Sequence, residues 1–144
     1  MEHLGIVYAL GAAITWGLVY AIDQKILTSL SPVTLLFVHS ILASIILLPF
    51  FLYNRESISS IQGLPKQIFV FVGITVVLAI LANILIFSSI KILGSSTASI
   101  IEIAYPFFVV LFSYLIFKAT PNIYFFIGGI LIFIGSVIII RYSK

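Results

Sequence analysis

The stretch SSTASIIEIAYPFFVVLFSYLIF, Ser95 to Phe117, is long and apolar enough to cross a membrane, yet it carries Glu102 and, one helical turn later, Pro106. A helix needs about 20 apolar residues to cross a hydrocarbon core roughly 30 Å thick. Neither a carboxylate nor a helix breaker belongs in such a segment by default. Their conjunction decides both the fold class and the search for a site.

Working outward, the same length test finds four more segments. The five expected spans are about Leu4–Thr28, Pro32–Tyr53, Gln67–Ile92, Ser96–Phe117 and Asn122–Ile140. The composition agrees: 62% of the 144 residues are hydrophobic and 8% are charged, with a mean hydropathy of +1.34. A soluble domain has about 25% charged residues. The fold class is therefore an all-α integral membrane protein, a bundle of five transmembrane helices. The absence of cysteine removes disulfides and thiolate metal sites. Cations are scattered at segment ends and form no basic patch, so nucleic acid is not an expected partner. The start MEH lacks a positive n-region, so the first span is expected to be retained rather than cleaved as a signal peptide.

The breaks have local causes. Ser31-Pro32 and Thr120-Pro121 each read as an N-cap followed by proline at the first helical position, and Gly94-Ser95-Ser96 as a helix stop followed by a cap. The segment NRESISSIQGLPK, Asn54 to Lys66, reads as a polar surface loop. Five spans put the two termini on opposite sides of the membrane. Arg55, Lys66 and Lys118 then fall on the N-terminal side, and Lys25, Lys91, Arg141 and Lys144 on the C-terminal side. Since lysine and arginine asymmetry sets orientation, three against four barely chooses one. Either the chain inserts both ways and pairs antiparallel, or another signal fixes one orientation and any dimer is parallel.

An ionised carboxylate in the membrane costs a few kcal/mol and usually faces a cavity or a partner. Counting 1.5 Å per residue from the C-terminal side places Glu102, His39, Asn83 and Asp23, one on each of the first four spans, at about 8–13 Å depth. Proline removes the hydrogen bond to the carbonyl four residues back, which here belongs to Glu102 itself. Carboxylate and freed carbonyl make an acceptor-rich turn suited to a proton, a cation or a donor-bearing substrate. The plainer alternative is a protonated Glu102 that simply locks the bundle to Asn83 or a serine. Trp16, Tyr20, Asp23 and Leu27 follow one helix face and could wall a cavity. Asp23 could equally mark a helix end, His39 could be an ordinary interhelical donor, and Tyr105 could line the site or merely pack. The candidate substrate or proton site is thus Glu102, Asn83, Asp23, His39, Trp16, Tyr20, Tyr105 and Pro106. In the last span, Gly128 and Gly135 lie seven residues apart on one face, a small-residue surface for packing within the bundle or on a second chain.

Two stretches carry a resemblance. ITWGLVYAIDQKIL, Ile14 to Leu27, resembles the Trp-Gly signature in the first helix of EamA-type domains of the drug/metabolite transporter superfamily. IFSSIKILGSSTASIIEIAYPFFVVLFSYLIF followed by FIGGILIFIGSVIII resembles the rest of that domain: a small-residue connection, a helix with a central proline and a glycine-rich last helix. The resemblance implies half of an inverted-repeat transporter, with the other half supplied by a second copy or a different half-transporter. Members often carry an arginine where His39 roughly falls and a Gly-Glu pair where Phe117-Lys118 stands, so roles tied to those charges do not transfer.

The expected function is secondary transport of small metabolites or drug-like molecules across the cell (inner) membrane, by an antiparallel homodimer, with Glu102 taking a proton in exchange for substrate and Asn83 and Asp23 in support. Membrane lipids and a small-molecule substrate are the expected partners. A small-multidrug-resistance-like exporter of cationic amphiphiles is the nearest rival, although that class has four spans and its essential acid in the first. A non-transporting accessory or scaffold subunit is another. No nucleophile–base pair, metal-ligand cluster or phosphate loop is legible, so no enzyme, metal or cofactor is expected.

Overall fold

The structure is a computed structural model that describes residues 2–142, without the side chains of Glu2, Arg55, Ser57 and Gln62. Lys144 and the Arg55 side chain, both counted in the charge balance above, lie outside what is described. Seven helices follow in order: α1 (Glu2–Ile26), α2 (Pro32–Tyr53), α3 (Arg55–Gln62), α4 (Lys66–Leu93), α5 (Ser95–Glu102), α6 (Tyr105–Phe117) and α7 (Ile123–Tyr142). Five stretches have the length and apolarity to cross a membrane, one of them formed by α5 and α6 together. Among the described residues there is no strand. The chain is an all-α, multi-pass integral membrane protein.

Helix suits apolar runs of this length, because hydrocarbon offers no partners for backbone polar groups and a helix satisfies them within the segment. The same constraint explains most hydroxyls. Thr15, Ser40, Ser44, Ser88 and Ser136 each donate to the carbonyl four residues back on their own helix, at 2.6–2.9 Å. A hydroxyl satisfied in this way has no need of a neighbouring helix.

The chain divides into two compact units, residues 25–88 and residues 1–24 with 89–144. In the first, Ser31 caps α2, accepting from the Thr34 amide at 3.0 Å, with Pro32 opening the helix. Ser31→Ala is expected to cost about 1 kcal/mol, read as a lower thermal midpoint of the purified protein in micelles. Leu35 and Phe87 are buried there. The stretch from Asn54 to Lys66 is not simply a loop. Asn54 accepts from the Glu56 amide at 3.1 Å and starts α3, on which Ile58 and Ile61 lie three apart on one face. That pattern suits a short helix lying in the membrane interface.

In the other unit, α5 packs against α7. α4 and α5 are joined by Gly94 alone, whose φ of 83° and ψ of 158° are open almost solely to glycine. Two expected caps are corrected. Thr120 does not cap the last helix; Asn122 does, accepting from the Tyr124 amide at 3.1 Å, and Pro121 lies outside the helix. Asparagine is the better N-cap, and threonine before proline is held extended. Ser95 and Ser96 do not cap α5 with their own side chains; its first amide is capped from α1, as described below. At the far end of α6, Lys118 takes the left-handed conformation (φ 55°) that closes the helix, a place glycine occupies without strain. Its ammonium lies 5.7 Å from the Tyr114 ring centroid.

Candidate functional site

Glu102 is the last residue of α5, and the helix does not continue through it. Ile103 and Ala104 form a turn, with Ile103 N–H donating to Ser99, Ala104 N–H to Ile101 and Phe107 N–H to Ala104. α6 then begins at Tyr105, with Pro106 in its first turn. The expected proline-bearing helix is therefore two helices. The reason is local: a proline in the first turn of a new helix lacks an N–H that would have been unpaired anyway. Pro106 still has no hydrogen to give the Glu102 carbonyl four residues back, and none of the bonds across the junction ends there.

The Glu102 side chain is half-buried. Its Oε1 accepts from the Tyr20 hydroxyl at 3.0 Å, across 82 residues of sequence. The heights explain the pairing. Glu102 lies about 10 Å along α5 and Tyr20 about 9 Å back from the end of α1, so the two antiparallel helices bring phenol and carboxylate to one level. A second bond set fixes the register. Gln24 lies one turn beyond Tyr20 on the same face, and its Oε1 accepts from both the amide and the hydroxyl of Ser95, at 2.6 and 2.7 Å. α1 thus holds α5 at both ends, capping it at Ser95 and binding its last side chain at Glu102.

The remaining candidates fall as follows. Asp23, on α1, is 2% exposed, and both it and Tyr105 lie near enough to act electrostatically on Tyr20. Trp16 stands one turn before Tyr20 with ring centroids 5.6 Å apart. Trp16 and Tyr105 are 52% and 62% exposed. Asn83 and His39 belong to the unit of residues 25–88. The Asn83 amide turns back on its own helix, donating to the Ala79 carbonyl at 2.8 Å, and the His39 ring meets Phe87 edge-on at 5.9 Å. Gly128 and Gly135 are half-exposed, and a Cβ added to either would meet nothing within 4 Å.

On its side towards α7, the broken helix borders a cavity of about 920 Å³, lined almost wholly by apolar groups that include Ile101, Pro106, Phe107, Gly128 and Phe133. Glu102 is not part of that lining. The junction therefore has an apolar crevice beside it and a carboxylate bonded to the aromatic face of α1.

Gln24 was not singled out from the sequence, and Gly94 was read only as a helix stop. Gln24 had a signal, its four-residue spacing from Tyr20, but nothing in a single sequence says which distant amide a glutamine reaches.

Chemically, the cluster holds a carboxyl group, a phenol that donates to it and the ring of Trp16 beside that phenol. No curated protein and no solved structure is significantly similar to the chain. The model of the EamA-like transporter family matches residues 3–141. With membrane-length helices over nearly that whole range, the chain belongs to the EamA-like transporter family, a family of membrane transporters.

Proposed function

We propose that the chain is a secondary transporter of small metabolites or drug-like molecules in the cell membrane, working as an antiparallel homodimer in which Glu102 exchanges a proton for substrate. One observation carries this reading: a carboxylate well inside the membrane bonds a neutral phenol. Among the described residues, Glu102 has no lysine or arginine partner. A carboxylate in hydrocarbon without a counter-cation is best accommodated by a proton or a bound ligand. The Tyr20 hydroxyl gives one oxygen of that carboxyl group a donor at 3.0 Å, which leaves the other oxygen open to a ligand or a proton. The helix break leaves a backbone acceptor beside the acid, the local irregularity that transporters use to line a binding cavity.

Support for a second copy comes from the last helix. A Cβ added at Gly128 or Gly135 would meet nothing within 4 Å among the described residues, which leaves close backbone approach open to another protomer. Near-equal flanking charge favours insertion in both orientations, and two antiparallel copies would restore the two halves implied by an inverted repeat.

Two measurements test this. Reconstituted in vesicles loaded with a pH-sensitive dye, the protein should dissipate a pH gradient when some solute of a panel of amines, amino acids, sugars and nucleosides is added. If no solute does so above protein-free vesicles, proton-coupled transport is ruled out. The chain has no native cysteine, so single cysteines at Ser29 and Ser59 can be labelled from outside intact cells. About half of each should label; labelling at one site alone would exclude the antiparallel arrangement.

A further inference from the structure

We propose that the crevice between the broken helix and α7 is a binding site for one anionic phospholipid, with its acyl chains in the crevice and its headgroup phosphate on Arg141. The inference does not depend on the transport reading.

The crevice limits what can fill it. Its volume of about 920 Å³ lies in the range of ligand pockets, about 300–1,000 Å³. Along α7 the lining runs from Tyr124 to Ile140, roughly 24 Å. Between those ends its one polar side chain is Ser136, whose hydroxyl already donates to the Ile132 carbonyl at 2.9 Å. Water does not settle in such a place, and a polar solute would give up its hydrogen bonds without replacement. Left empty, the walls would forfeit their dispersion contacts. A helix of a second copy, about 10 Å across, would over that length take up roughly twice the volume available. An acyl chain is flexible, a single methylene wide, and surrounds every membrane-spanning helix.

Depth and charge narrow the choice of lipid. From Ile140, near the C-terminal end of α7, the lining reaches Gly129 roughly 16 Å further in. That is the depth of about one leaflet, half of a hydrocarbon core roughly 30 Å thick. Gly128 and Gly129 leave room there, since a Cβ added to either would meet nothing within 4 Å. At the outer end, Arg141 stands one turn beyond Val137, which lines the crevice, and so continues that face of α7. Arg141 is exposed, and among the described residues it has no carboxylate partner. An arginine at headgroup level binds phosphate oxygens through paired N–H bonds and draws anionic lipid. One ligand, apolar for the depth of a leaflet and negative at its outer end, answers both features.

The test uses purified protein in uncharged maltoside micelles, mixed with phosphatidylglycerol or with phosphatidylcholine of identical chains. Bound lipid is counted by native mass spectrometry. One phosphatidylglycerol should bind saturably and about fivefold more tightly than phosphatidylcholine, the effect of one basic group at an anionic headgroup. Arg141→Gln should bring the two lipids to equal affinity, while Lys118→Gln, before the start of α7, keeps the difference. Gly129→Leu, checked for native helicity by circular dichroism, should weaken both lipids at least about tenfold by filling the inner end. No saturable binding, equal binding of the two lipids by the parent, a preference that survives Arg141→Gln, or undiminished binding by Gly129→Leu would each overturn the assignment. So would a Ser136→Cys protein that binds neither lipid and forms a disulfide between copies, which would give the crevice to a second protomer. Glu102 lies outside the lining, so Glu102→Gln should bind lipid as the parent does, and the vesicle assay and this one can fail independently.

Discussion

Replacing Glu102 with glutamine is expected to reduce proton-coupled solute uptake in reconstituted vesicles at least about 100-fold, to the level of protein-free vesicles, without disturbing the assembly. Glutamine preserves the length and shape of the side chain and keeps an oxygen for the Tyr20 hydroxyl, now 3.0 Å from the carboxylate. The contact between α1 and α5 therefore survives, and size-exclusion and cross-linking profiles should match those of the parent. What is lost is the ability to take and release a proton. A hundredfold loss corresponds to about 2.7 kcal/mol, comparable to one strong interaction made by a charged group. Tyr20→Phe is the companion measurement. It removes the donor but leaves the acid, so uptake should fall about tenfold without vanishing. Uptake undiminished in Glu102→Gln would rule out the proposed role for this residue, whatever the protein carries.

The second large effect concerns stability. Gly94→Ala is expected to cost about 1–3 kcal/mol, because φ 83° with ψ 158° is a region that residues with a Cβ rarely enter. Space is not the obstacle: the new Cβ would lie 3.6 Å from Gln24 Oε1, an ordinary contact. The backbone itself would have to move, and Ser95 would move with it, losing the 2.6 Å bond from its amide to Gln24. Gln24→Ala alone should cost about 0.5–2 kcal/mol by removing that cap. The two changes damage one joint, so the double variant should cost less than the sum of the two. Gly73→Ala is the control, since it sits inside α4 with nothing within 4 Å of the added atom, and alanine favours helix. Thermal unfolding in micelles reads all four. A Gly94→Ala protein as stable as the parent would contradict the tight turn between α4 and α5.

These predictions separate what a single sequence carries from what it cannot. The membrane class and the helical character are properties of composition and run length, which act residue by residue wherever the chain goes. So is the oddity of Glu102 before Pro106, visible because both residue types are costly in an apolar segment. The start of α3 was also legible, in Asn54, Glu56 and the spacing of Ile58 and Ile61, although polarity made that stretch read as a loop. Thr120-Pro121 misled for a similar reason: two residues further on stood a better capping side chain, Asn122, and the competition between neighbouring caps depends on where the helix comes to rest.

The sequence by itself determined that this chain lives in a membrane as helices and that one of them carries an acid at depth. Only the tertiary structure decided that the acid answers to Tyr20, that Gln24 caps α5 from a distance, and that the Asn83 amide closes on its own helix. Burial preference and periodicity are written along the chain. A hydrogen bond between helices depends in addition on their relative height and rotation, two quantities set when the helices pack and encoded in no single residue.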